Sequence, residues 1–430
     1  MIGEQIYNFA EQLWGINRSI TGNGVRQTLQ LIQRHLPNLK IVEVPTGSKV
    51  FDWKVPQEWC VDEAYIIDPE GKKFCDFKQN NLHLLGYSIP FAGYMELPEL
   101  TEHLYTLPDQ PDAIPYVTSY YEKRWGFALA HNEFSRLKKG KYYVFISTKH
   151  FHGSMSYGEL IIPGNSKSEI FLSTYICHPS MANNELSGPV VQTQLGLWLA
   201  RLKERRYTYR LVFLPETIGS ITYLSRNLKT LKKNVIAGFN ITCVGDDRSY
   251  SYLPSRNGDT LSDRVAKHIL HWTDPNYRKF AWLDRGSDER QYCSPGVDLP
   301  ISSIMRTKYG EYPEYHTSLD DLNLVVTAKG LNGGYWALRN AIELIEKNHF
   351  YVSINLCEPF MSKRNLYPSL STKKIDNDVN RIMDVLSYCD GFHSVIDIAN
   401  NLNVPAWDLY KTFDKLVGEN LIAKDDANRI

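Results

Sequence analysis

The chain has 430 residues, more than one ordinary hydrophobic core supports, so two or three domains are expected. Its 48 Lys+Arg balance 48 Asp+Glu, and a formal charge of zero argues against a general binder of nucleic acid or anionic lipid. With 43% hydrophobic residues and no apolar run near the roughly 18 residues of a spanning helix, the composition is that of a soluble globular protein with no membrane partner.

The opening stretch, MIGEQIYNFAEQLWGINRS, mixes acidic and apolar residues at helical spacing and lacks the basic start and apolar core of a signal peptide. Residues 3–14 and 22–36 read as amphipathic helices, the second presenting Val25, Leu29, Ile32 and Leu36 on one face. From Lys40 to Gly164, alternating runs such as AYIID (64–68) and KYYVFIST (141–148) are cut by turns, which predicts a β-rich segment. Strand and helix then alternate: strands at 169–176, 209–215 and 234–244 are separated by helices at Val190–Arg205 and 222–231. A helix at Asp259–His271, a strand at 300–307 and a long helix at Ala328–Lys347 follow. Such alternation implies βαβ crossovers and a mostly parallel sheet. Beyond residue 372 the pattern is helical, with a short turn at Asn403–Pro405 and a trailing strand, the order of a winged helix. The expected organisation is an α/β three-layer sandwich built from residues 1–39 and 165–360, a β-rich insert at 40–164, and a winged helix at 372–430.

Seven scattered cysteines with no CxxC indicate neither a disulfide framework nor a Cys-rich zinc site, so reduced thiols and a cytoplasmic location are expected. Ligands of open parallel sheets bind beyond the carboxyl ends of the strands. The residues delivered there are Cys177-His178-Pro179 with the loop to Gly188, then Glu216 before Ile218-Gly219-Ser220, then Asp246-Asp247, and late in the domain Tyr315-His316-Thr317. Two histidines and several acids at strand ends are the donor types of a zinc site with a catalytic carboxylate.

A strand-end His, a loop closing in Ser-Gly that opens a helix, a Glu before Ile-Gly-Ser and a late YHTSxD resemble the di-zinc aminopeptidases. The stretches LWGINRSITGNGVRQTL (13–29), TYICHPSMANNELSGP (174–189) and GSDERQYCSPGVDLP (286–300) resemble a bacterial branch with an inserted β-rich domain and a winged helix. The resemblance spans nearly the whole chain and implies an aminopeptidase-like fold, with His178 and His316 as the first and last zinc ligands. It further implies Glu216 as general base and Tyr315 as a hydrogen-bond donor to the developing oxyanion. Three positions depart from the pattern. Asn184 stands where a bridging Asp is usual, Thr217 where a second Glu ligates, and Thr242 where an Asp ligates. The expected donor set is therefore His178, Asp246, His316 and, weakly, Asn184, with Glu185 and Asp247 as alternative carboxylates. That set suits one zinc rather than two.

The expected substrate is a small peptide-like amide. Two alternatives stand beside it: deacylation of an N-acyl sugar or metabolite, with the aromatic insert stacking on sugar faces, and a degenerate hydrolase used as a binding or scaffold module. The loop carrying Arg285, Asp288 and Arg290 reads as solvated, or as a substrate clamp. The last helix of the winged helix (406–420) sets Asp408, Asp414 and Glu419 against Lys411 and Lys415, too acidic for a recognition helix. Protein contact is the expected role of that domain, and a homo-oligomer through it or through the insert is a further expectation.

Overall fold

The computed structural model describes residues 2–364 and 377–425. Of the expected winged-helix span, residues 372–376 and 426–430 lie outside the described residues. Eight strands form the central sheet, in the spatial order Lys40–Pro45, Ser154–Ile162, Thr208–Leu214, Glu169–Tyr175, Val235–Asn240, Ile301–Met305, Ser251–Leu253 and Arg278–Lys279. Thr208–Leu214, Glu169–Tyr175, Val235–Asn240 and Ile301–Met305 run parallel to one another. Glu169–Tyr175 is buried at every position, as expected of a strand covered on both faces. Successive residues feed different cores: Ile170 and Leu172 join one cluster, while Phe171 joins the other. This period-two alternation, with helices on both faces, makes the three-layer sandwich that the strand–helix order predicts.

The crossover helices are Ser187–Arg201 and Ile218–Asn234. The N-terminal helix Ile2–Trp14 packs on Ala328–Lys347. Gly3 sits so close that an added Cβ would lie 2.1 Å from the Ala328 carbonyl oxygen, which explains a glycine in the first turn of the helix.

Two expected boundaries shift. Lys40–Pro45 and Ser154–Ile162 pair antiparallel with each other, and Ser154–Ile162 pairs with Thr208–Leu214, so both ends of the 40–164 segment belong to the central sheet. The separate sheet lies between them, with strands Lys73–Phe74, Glu58–Ile67, Lys141–Phe151 and Phe91–Glu96. Likewise Phe350–Ser353, expected in the α/β domain, pairs with Asp390–Ser394 and Ile422–Lys424 of the winged helix. Alternation in a sequence reports a half-buried strand and not which sheet supplies its partner.

The winged helix docks on helix Leu261–Thr273. His268 Nδ1 lies 2.8 Å from Asn400 Oδ1, the Ala406 N–H donates to His268 Nε2 at 3.0 Å, and Arg264 pairs with Asp397. Among the described residues, no helix is long and apolar enough to cross a membrane.

Candidate metal centre

The strand Glu169–Tyr175 leads into Cys177 and His178, and Thr208–Leu214 leads into Glu216. His316 arrives from the loop after Ile301–Met305, with φ 56°, a left-handed conformation uncommon outside glycine. These three loops bring His178, Glu216 and His316 to one cavity of about 370 Å³. His178 Nε2 lies 3.6 Å from Glu216 Oε2, and the two imidazole centroids are 5.7 Å apart. Glu216 is pushed up from the usual carboxylate range by burial. Burial and the neighbouring His178 hold the His316 imidazole at about 3, so its ring stays neutral and able to donate a lone pair. Burial disfavours a charged His178, but Cys177 and Glu185 beside Nδ1 outweigh it and raise its pKa.

The rest of the cavity comes from elsewhere in the chain. Tyr116 of the insert lies 5.1 Å from the His178 ring and 5.3 Å from the His316 ring. The Tyr116 N–H donates to the His316 carbonyl at 2.9 Å, and the Ser318 N–H donates to the Ile114 carbonyl at 2.9 Å, so the insert is stitched to the His316 loop. Trp53, Tyr120 and Tyr121 continue this wall. None of these aromatics follows from the spacing of the catalytic motifs, because a loop at 114–121 and the short strand Trp53–Lys54, both far from those motifs in sequence, present them.

Other expected residues are placed differently. Asp246 is fully buried, and its carboxylate accepts from Asn183 Nδ2 (3.0 Å), the Thr307 N–H (2.8 Å), Thr307 Oγ1 (2.7 Å) and the Arg248 N–H (3.0 Å). Those donors fix the loop and leave the carboxylate no free lone pair directed at the cavity, so Asp246 is corrected from ligand to structural acceptor. Asn184 lies in the π-helical turn Ala182–Leu186, where its Oδ1 accepts from the Tyr175 hydroxyl at 2.8 Å. That hydroxyl also meets Thr242 Oγ1 at 2.6 Å, so Tyr175 occupies the polar space between the two altered positions. Tyr315 stacks flat on His316 at 3.9 Å and is not among the residues lining the cavity, so the contact it makes in this structure is with the ring. The loop read as solvated is buried at Asp288 and Glu289, because Asp288 Oδ1 accepts from the Thr217 N–H (2.8 Å) and Ser220 Oγ (2.7 Å). Arg290 Nη2 donates to Thr217 Oγ1 at 3.0 Å.

These contacts test the metal that the resemblance implies. A two-cation centre does not fit, since Asn184 and Thr242 are engaged with Tyr175, and Thr217 with Arg290. For one cation two donors stand in place, His178 Nε2 and Glu216; among the described residues the trio of donor atoms within 4.8 Å of one another is Cys177, His178 and Glu185, and His316 lies outside it. The 3.6 Å between His178 Nε2 and Glu216 is too long for a hydrogen bond. It is close to the separation of about 3.4 Å between two donors on a tetrahedral zinc with bonds of about 2.1 Å. Among the described residues, neither His178 Nε2 nor either His316 ring nitrogen makes a hydrogen bond. Cys177 does not form a catalytic relay with His178 and Glu185. Its thiol, pushed up to about 11 by burial, meets the same Nδ1 that Glu185 holds, whereas a relay needs both ring nitrogens.

Sheet order, crossovers and the placement of these residues define an aminopeptidase-like fold with a C-terminal winged helix. The chain belongs to the family described as Domain of unknown function (DUF4910), which residues 7–348 match, and residues 349–424 match a winged helix-turn-helix family. It is 44% identical over 399 residues to a Clostridium acetobutylicum protein, covering 92% of this chain and 91% of that one. That relative is provisionally named a polysaccharide biosynthesis protein with an aminopeptidase-like domain. A crystal structure from Clostridium acetobutylicum, provisionally named a peptidase, superposes with a TM-score of 0.92 at 41% identity, over 99% of this chain and 97% of that one. The zinc aminopeptidase of Bacillus subtilis shares the fold, with a TM-score of 0.58 at 12% identity over 80% of this chain and 94% of that one.

Proposed function

We propose that the chain is a hydrolase of a peptide-like amide working with one zinc ion held by His178, His316 and Glu216. The observation that carries this reading is the convergence of two imidazoles and one carboxylate, from three separate loops, on one cavity. Two histidines and a glutamate are a donor set of catalytic zinc sites that leaves a fourth position open. When bound, zinc supplies Lewis acidity and a water of lowered pKa. Glu216, the one acid lining the cavity, takes the third donor place first given to Asp246. One of its oxygens would hold the ion, and the other accepts the proton released during attack and passes it to the leaving nitrogen. Tyr116, whose hydroxyl lies 2.5 Å from that of Tyr120, faces both imidazoles and takes the oxyanion-stabilising role first given to Tyr315. Glu216→Gln is expected to lower turnover of amino-acid anilides at least ~100-fold and to weaken zinc retention. Unchanged turnover in that variant overturns the role of Glu216.

A second reading, deacylation of an N-acyl sugar, is favoured by the aromatic wall of Trp53, Tyr116, Tyr120 and Tyr121 and agrees with the name of the Clostridium relative. Turnover of N-acetyl sugars without turnover of anilides would select it. A binding module remains the third reading. Less than about 0.1 equivalent of zinc after supplementation would select that one.

A further inference from the structure

Arg18 is the largest fully buried side chain among the described residues, at 1% exposure, and lies in the LWGINRSITG stretch. It follows the helix Ile2–Trp14, and its Nη1 donates to the Leu13 carbonyl at 2.7 Å, where the negative end of the helix dipole favours a cation. Its Nε and Nη2 are buried without a hydrogen bond. A cation is not carried into an interior without a compensating charge. Here that charge is Glu185, whose Oε1 lies 3.5 Å from Arg18 Nε with both side chains fully enclosed. The other Glu185 oxygen lies 2.8 Å from His178 Nδ1.

We infer that Arg18, acting through Glu185, is a positioning residue that pins the His178 Nδ1–H and aims Nε2 into the cavity. With one Glu185 oxygen turned to the Arg18 guanidinium and the other to His178 Nδ1, the carboxylate sits as acceptor between two N–H donors, so the nitrogen facing it carries the hydrogen and the opposite nitrogen is the one left for a cation. The line runs from the end of the first helix through Arg18 and Glu185 to His178 Nε2, and on to Glu216. The first helix thereby becomes part of the site. Without Arg18 the buried Glu185 loses its guanidinium partner and keeps only the His178 contact, so the arrangement is no longer held from both sides. The consequence for metal rests on the proposed zinc reading; the orientation of His178 does not.

The test uses the full chain, 15N-labelled at histidine, with the His178 signals assigned through a His178→Gln variant. Wild type and Arg18→Lys are expected to show His178 Nδ1 as N–H, whereas Arg18→Met populates a form with bare Nδ1. Zinc affinity, measured by competition with a chelator at fixed pH, is expected to fall 10- to 100-fold in Arg18→Met, a range of about that size being typical for lost outer partners. Should Arg18→Met not fold, Arg18→Met/Glu185→Leu removes both charges together and is expected to give the same two changes. A loss of thermal stability with the Nδ1 signal and zinc affinity unchanged assigns Arg18 to scaffold support and overturns the inference. Absence of zinc binding by wild type defeats the metal reading, and the Nδ1 signal then decides the inference alone.

Discussion

Asp246 and Glu216 both follow an apolar strand, and their fates differ through their neighbours. Asp246 has four donors within hydrogen-bond distance, two of them from Thr307, whereas Glu216 faces an imidazole nitrogen that makes no hydrogen bond. Spacing along the chain cannot separate these cases, because the Thr307 donors lie 61 positions away from Asp246. Asp246→Ala is expected to cost about 2–4 kcal/mol in urea unfolding, since several donors lose their acceptor at once. Its zinc affinity should stay within about threefold of wild type, below the 10- to 100-fold expected where a ligand's supporting shell is lost. A large loss of zinc in a folded Asp246→Ala protein would restore it as a ligand. His178, Glu216 and His316 were legible as a set because each ends a recognisable strand or motif. Arg18 was not, since a cation between two amphipathic helices reads as surface until the fold closes over it.

At the level of elements, the π-helical turn Ala182–Leu186 and the loop at 114–118 shape the site together. All five residues of the turn are buried, and the Asn183 and Asn184 N–H groups donate to Asp320 at 2.7 and 3.0 Å. Such turns cluster at functional sites because they re-aim side chains within a helix start. The 114–118 loop brings Tyr116 of the insert to the cavity, and Trp53 and Tyr121, which also line it, stand in edge contact at 5.8 Å. Both rings are substantially exposed, so shortening them changes binding without opening the core. Trp53→Ala and Tyr121→Ala are each expected to raise KM about 5- to 20-fold with kcat nearly unchanged, as for removal of ~1–2 kcal/mol of stacking outside the reacting atoms. An unaltered KM in both would remove the aromatic wall from substrate binding. The strand–helix alternation was readable in the chain, whereas the contact between insert and His316 loop joins residues some 200 positions apart and leaves no local pattern.

At the scale of the molecule, the winged helix is docked on the α/β domain through His268, Asn400 and the Arg264–Asp397 pair. Its final helix, Tyr410–Gly418, exposes Lys411, Asp414 and Lys415, with exposed Asp408 and Glu419 at its ends. That mixture provides no cationic face for phosphates. Fluorescence anisotropy at 50 mM salt is expected to show no saturable binding of duplex DNA at micromolar protein, a concentration range that non-specific binders reach. Tight, salt-dependent binding would contradict this. What the amino-acid sequence determined by itself was the mostly parallel sheet, the C-terminal winged helix and the placement of two histidines at one cavity. Local periodicity and strand-end chemistry suffice for these, because hydrophobic patterning and short motifs are written in neighbouring residues. Only the tertiary structure decided which carboxylate faces the histidines, what fills the space left by Asn184 and Thr242, and why Arg18 is buried. Those outcomes depend on donors and charges supplied across long sequence separations. In a closed interior, such partners decide whether a polar group is free for chemistry or occupied in holding the fold.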